Sequence, residues 1–176
     1  MTLFQNLATA AHENRVRFIV IGGHAVNEHG FQRGTEDADI MVCRDDRETW
    51  SRALDQLGFQ MRHDGGAFLQ FSSESPGEWD LDLMLVSQET FQRIIADAEQ
   101  RRLEDATICI PSLRHLVALK AHALKNGKGL RVLKDMTDVA ELLKLHRVSS
   151  DAEWLRETFV KYGDNESYER IRKLLA

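Results

Sequence analysis

An apolar run closed by two glycines, Phe18-Ile19-Val20-Ile21-Gly22-Gly23, is the strongest constraint on how this chain folds. A short continuous apolar stretch bounded by glycine, here 17–21, reads as a buried strand. Glycine has no Cβ, so the break at Gly22-Gly23 lets backbone N–H groups approach a bound phosphate without side-chain obstruction. Residues 24–29 read as the first turns of a helix whose N-terminus points to the same place. After a loop over 30–36, Asp37-Ala38-Asp39 leads into a second strand at 38–43, anchored by Ile40 and Val42. Residues two apart on a strand share a face, so Asp37 and Asp39 stand side by side. Two adjacent carboxylates repel, and the arrangement is costly unless a cation lies between them.

The remaining pattern predicts an α/β chain to about residue 110 and a helical one afterwards. Leu3, Phe4, Leu7, Ala8 and Ala11 share one face of a helix over 3–14. A helix from Asp46 to Leu57 stops at Gly58, a suitable C-cap. A weak strand is expected at 67–72, a turn at 73–77 and a strand at 79–86. Ser87 should cap a helix running to about Gln100. A further strand covers 106–110, closed by Pro111. Helices follow at about 112–126, 132–146, 151–161 and 165–175, with Ser112, Ser150 and Asp164 as candidate caps. The expected organisation is a core at 1–110 and a helical segment at 111–176 that completes the site. There is no internal repeat or low-complexity tract.

On the strand at 79–86, Leu81, Leu83 and Leu85 face one way and Asp80, Asp82 and Met84 the other. A third carboxylate from here would complete a cage for two Mg²⁺ ions, which favour carboxylate oxygens, phosphates and water. Asp82 is preferred because it lies deeper in the apolar run; Asp80 shares its face and is the competitor. Such a constellation suits phosphoryl chemistry, where the protein holds phosphates, aligns oxygens and neutralises charge. No Gly-Lys-Ser/Thr follows the glycines, so this is not a Walker loop.

The chain has 176 residues, is 43% hydrophobic and 29% charged, and carries a formal net charge of −5. Its length accommodates one domain, or one domain with a helical appendage. An acidic balance gives no global basic field for nucleic acid. Lys120, Lys125, Lys128, Arg131 and Lys134 cluster in sequence, either as a local basic groove or as a solvated helix face. Cys43 and Cys109 lie in apolar runs and read as buried thiols. With neither a signal pattern nor a membrane-length apolar run, a cytoplasmic protein with no membrane partner is expected.

The string Gly22-Gly23-His24-Ala-Val-Asn-x-His29-Gly-x-x-Arg33-x-Thr35-x-Asp37-x-Asp39 resembles the signature of the DNA polymerase beta-like nucleotidyltransferase superfamily. It is similar in particular to small bacterial and archaeal members, including toxins of the AbiEii type. Ile110-Pro-Ser-Leu-x-x-Leu-x-x-Leu-Lys120 and Arg131-x-x-Lys134-Asp135-x-x-Asp138 extend the likeness to about residue 146. The resemblance implies a mixed sheet flanked by helices, with catalytic carboxylates on two adjacent strands. It implies Asp37, Asp39 and Asp82 as catalytic Mg²⁺ ligands and Gly22 and Gly23 as phosphate-loop residues. Arg33 and Thr35 would line the nucleotide side, Lys120 would meet the triphosphate, and Asp135 would orient nearby groups. The reaction implied is transfer of an NMP from an NTP to a hydroxyl, with release of pyrophosphate. The acceptor could be RNA, a protein side chain or a small molecule, and an antitoxin-like partner protein would accompany a toxin. Gly23 stands where some members carry Ser, Ala38 replaces a larger apolar residue, and the chain is shorter than the longer AbiEii-type toxins.

Ordinary roles compete at several positions. His24 would serve at the surface or as a cap, and Lys120 as a salt-bridged surface lysine. Arg33 could pair with Glu36, and Asp135 and Asp138 could be first-turn helix acids. The alternative functions are a non-catalytic nucleotide-binding protein or partner subunit of the same fold, and a metal-dependent hydrolase using the same acids.

Overall fold

The computed structural model describes residues 1–74 and 79–175, so most of the turn expected at 73–77 lies outside the described residues. The chain forms two compact units: residues 1–25 with 33–111, and residues 26–32 with 112–176.

The first unit contains α1 (Leu3–Asn14), β1 (Phe18–Val20), the start of α2 (Gly22–Glu28), β2 (Asp37–Cys43) and α3 (Arg47–Gln56). These are followed by β3 (Phe59–Asp64), β4 (Phe68–Ser73), β5 (Asp80–Val86), α4 (Gln88–Ala96), β6 (Glu99–Leu103) and β7 (Ala106–Ile110). Five strands make one mixed sheet in the order β1-β2-β5-β4-β3, in which β2 and β5 are parallel and the other pairs antiparallel. Alternation places Ala38, Ile40, Leu81, Leu83 and Leu69 on one face, and all are fully buried. Helices α1, α3 and α4 supply Phe4, Leu7, Trp50, Leu54 and Phe91 to the core, with the Trp50 ring edge-on to Phe18 at 5.6 Å. Each such side chain contributes about 1.5–3 kcal/mol on burial. The carboxylates stand on the opposite face, on strands that their apolar neighbours hold in place.

Two strands depart from the sequence expectation. β3 was not foreseen because only Phe59 is buried in it; as the sheet edge it leaves Gln60 to Asp64 exposed, and an irregularity between Met61 and His63 breaks the two-residue period. The helix expected to reach Gln100 stops at Ala96, and Glu99–Leu103 pairs with β7 in a separate hairpin. Glu104 and Asp105 turn that hairpin with φ of 48° and 65°. Left-handed residues at both turn positions match the twist of paired strands, which overrides the weak strand propensity of Glu-Gln-Arg-Arg. Ser87 caps α4 as expected, accepting from the Thr90 N–H at 3.2 Å.

The second unit is built from α5 (Leu113–Asn126), α6 (Leu130–Leu145), α7 (Glu153–Tyr162) and α8 (Asn165–Leu175). Val117, Ala121, Val139, Leu143, Leu155 and Ile171 are fully buried at its centre. Asp164 caps α8, its Oδ1 accepting from the Ser167 N–H at 2.8 Å. Ser150 does not cap α7, whose N-cap is Ala152; Ser112 is the N-cap residue of α5 as expected, with its hydroxyl turned to His115 instead of the helix backbone. Residues 26–32 join this unit through bonds such as His146 Nε2 to the His29 carbonyl at 3.0 Å.

Lys120 is not a surface lysine. It is 8% exposed, and its Nζ lies 2.6 Å from Asp135 Oδ1 and 2.8 Å from Asp138 Oδ2. Asp135 and Asp138 are likewise buried, beyond the first turn of α6, and hold the ammonium that joins α5 to α6. Removing one member of a buried ionic cluster leaves the others uncompensated. Lys120→Met should therefore lower unfolding free energy by about 3–5 kcal/mol in a urea titration. Lys125→Met, at an exposed position of the same helix, should change it by less than about 0.5 kcal/mol.

Candidate active site

The parallel pairing of β2 with β5 sets Asp39 directly opposite Asp82 and Asp37 opposite Asp80. Asp37, Asp39 and Asp82 each offer a carboxylate oxygen within 4.8 Å of the others, all half-buried. Asp80 is exposed and is not part of this cluster. The three hard oxygen donors suit Mg²⁺ or Mn²⁺, and their mutual repulsion is relieved when a divalent cation is bound.

The glycines close over this cluster. Gly22 has a φ of +61°, and a Cβ there would lie 1.9 Å from Asp39 Oδ2. The Ile21 N–H donates to the Asp39 carbonyl at 2.9 Å, tying the end of β1 to the acidic strand. A Cβ at Gly23 would lie 2.6 Å from Thr35 Oγ1 and 3.1 Å from an Arg33 guanidinium nitrogen. Thr35 and Arg33 are thus brought beside the Gly-Gly turn. The Thr35 hydroxyl donates to the Asp37 carbonyl at 3.0 Å, and Arg33 donates to the Gly34 carbonyl at 2.9 Å. Gly22 and Gly23 form the opening turn of α2 and do not precede it as a separate loop.

His24 is neither a surface residue nor a cap. It is 5% exposed, edge-on to Phe4 at 5.1 Å and against Trp79 at 4.5 Å. Burial pushes its pKa below the ordinary value; the Arg33 charge adds to this and the Asp37 carboxylate opposes it. Nothing in the spacing of His24 marks this role; Phe4 and Trp79 reach it only through the fold.

Asp82 has a partner that sequence reasoning missed. Gln70, its direct neighbour on β4, places Nε2 3.3 Å from Oδ1 and 3.2 Å from Oδ2 of the carboxylate. Alternation in β4 does signal it, since Phe68, Gln70 and Ser72 fall on the face opposite Leu69 and Phe71. Lys120 and Asp135 belong to the second unit, in the ionic cluster described above.

A mixed sheet with an acidic cluster on adjacent parallel strands beside a Gly-Gly turn is the framework of a nucleotidyltransferase. The sequence profile described as "Nucleotidyl transferase AbiEii toxin, Type IV TA system" matches residues 3–175, and the chain belongs to this family. Comparison with curated proteins by sequence returns no match. Among solved structures, the fold is similar to an antigenic nucleotidyltransferase-like protein from Paracoccidioides brasiliensis, with TM-score 0.62 and 13% identity over 98% of this chain and 90% of that one. The lincosamide antibiotic adenylyltransferase LnuA, lincomycin-bound, gives TM-score 0.57 and 14% identity over 80% of this chain and 98% of that one. ANT(2'')-Ia in complex with adenylyl-2''-tobramycin gives TM-score 0.54 and 14% identity over 98% and 94%. At these identities the likeness concerns the fold.

Gly22→Ala should destabilise the protein by about 1–3 kcal/mol in urea, because it adds a left-handed strain to a clash with Asp39. Gly34→Ala, whose added methyl meets nothing within 4 Å, should stay within about 0.5 kcal/mol of the parent. Because His24 takes up a proton less readily folded than unfolded, the folded state loses stability as pH falls below the unfolded value of about 6.5. The loss stops growing below the folded pKa. Thermal unfolding from pH 8 to pH 5 should show part of the acid-side drop disappearing in His24→Phe.

Proposed function

We propose that this nucleotidyltransferase transfers an NMP from an NTP to a hydroxyl acceptor with Mg²⁺ held by Asp37, Asp39 and Asp82, and that it acts as the toxin of a toxin–antitoxin pair. The observation that carries the reading is the convergence of three carboxylates within 4.8 Å on paired strands beside the Gly-Gly turn. Family membership supports both the toxin role and an antitoxin partner. Among the described residues no helix is long and apolar enough to cross a membrane, and the proposed setting is cytoplasmic.

In this reading Gly22 and Gly23 admit the phosphates, while Arg33 and Thr35 line the nucleotide side. Mg²⁺, when bound, supplies Lewis-acid stabilisation of phosphoryl charge and lowers the pKa of the attacking hydroxyl. The acceptor oxygen bonds to the α-phosphorus as the bond to pyrophosphate breaks, and Asp82 takes the hydroxyl proton. Lys120 has three N–H donors and is held within the second unit by Asp135 and Asp138. Asp135 and Asp138 orient that ammonium.

Lys125, Lys128, Arg131 and Lys134 are all exposed on a chain of net charge −5, which favours a polyanionic acceptor such as RNA over a small molecule. Incubation with each NTP, labelled at the α-phosphorus, Mg²⁺ and total RNA should move label into RNA and release pyrophosphate. Asp39→Asn should reduce transfer by about 100-fold or more, and a chelator should abolish it. Asp80→Asn should retain transfer. Label released as free NMP would identify a hydrolase. Binding without turnover, indifferent to Asp39→Asn, would identify a nucleotide-binding protein instead.

A further inference from the structure

One row of the five-stranded sheet carries polar residues across four strands. Asp39 on β2 pairs with Asp82 on β5, Asp82 with Gln70 on β4, and Gln70 with His63 on β3. Direct neighbours on adjacent strands stand about 5 Å apart on the same face, within reach of a glutamine amide. The Gln70 Nε2 lies nearly equidistant from the two Asp82 oxygens, at 3.3 and 3.2 Å. A single amide nitrogen shared between both oxygens restricts the directions from which the carboxylate can be approached. It also occupies the edge on which a cation would chelate both oxygens at once.

We infer that Gln70 is a positioning residue for the metal site: it clamps Asp82 so that the carboxylate turns one oxygen, not its chelating edge, toward Asp37 and Asp39. The inference rests on the reading of the acidic cluster as a divalent-cation site. Its consequence is selectivity. Mg²⁺ and Mn²⁺ demand compact octahedral surroundings and take single oxygens readily, whereas Ca²⁺ is larger and accepts both oxygens of a carboxylate. Partners that orient a metal ligand without touching the metal commonly change affinity by 10–100-fold, on the order seen for hydrogen-bonded ligands. Gln70 is exposed, and β4 is packed through Leu69 and Phe71, so changing Gln70 leaves the core untouched.

Mn²⁺ titration of the full chain, read by the electron paramagnetic resonance signal of free Mn²⁺ and followed by Ca²⁺ competition, tests this without any acceptor. Gln70→Ala should weaken Mn²⁺ binding by about tenfold and let Ca²⁺ displace Mn²⁺ at a lower ratio, with an unchanged thermal unfolding midpoint. Gln70→Met, which keeps the length but lacks the donor, should behave the same way. If both variants bind Mn²⁺ within about twofold of the parent while Asp82→Ala loses it, the role of Gln70 is overturned and the metal site stands. Equal weakening of Mn²⁺ and Ca²⁺ with a lowered unfolding midpoint would also overturn it, as a structural effect. If the parent binds no Mn²⁺, or Asp82→Ala binds it as well as the parent does, the metal reading falls and this inference with it.

Discussion

The pairing of β2 with β5 in one register is the interaction on which the rest of the first unit depends. Main-chain hydrogen bonds between the two parallel strands place Asp39 opposite Asp82. The same ladder puts Ala38 beside Leu81 and Ile40 beside Leu83 on the buried face. A slip of one residue would exchange the faces, driving carboxylates into the core and leucines into solvent. Apolar burial on one side therefore enforces like-charge crowding on the other. Gly22 in turn reaches Asp39 through the pairing of β1 with β2, beyond which the Ile21 N–H donates to the Asp39 carbonyl.

Much of this was legible in sequence, for identifiable reasons. The alternation of Leu81, Leu83 and Leu85 with Asp80 and Asp82 announced both the strand and its carboxylate face. The apolar run into Gly22-Gly23 announced β1 and the turn. Asp82 over Asp80 followed from depth in the apolar run, and the cluster contains Asp82 alone of the two. What sequence could not convey were relations set by pairing. β3 hid because all of it but Phe59 is exposed, and β6 because a charged stretch took its conformation from β7. His24 looked like a surface histidine because its neighbours, Phe4 and Trp79, are distant in sequence. For Gln70, alternation in β4 shows the face it stands on, but its bond to Asp82 is set by the strand beside it.

The second unit handles charge in two ways. Facing inward, Lys120 is buried with Asp135 and Asp138 and held by short ion pairs. Facing outward, the end of α5, the residues after it and the start of α6 expose Lys125, Lys128, Arg131 and Lys134. In α5 the helical period sets Lys120 on the face of Leu116, Val117 and Leu124, all buried, while Lys125 lies off that face. Burial separates them: an enclosed ammonium needs carboxylate partners, and solvated ones do not.

The placement of residues 26–32 has a consequence for how the protein comes into being. This short piece lies near the start of the chain, yet it packs with helices that begin at Ser112. On the ribosome it emerges long before its partners, and all of residues 33–111 must be made in the interval. The second unit is therefore no detachable cassette. Cutting at Pro111 would part its helices from residues 26–32, which pack with them.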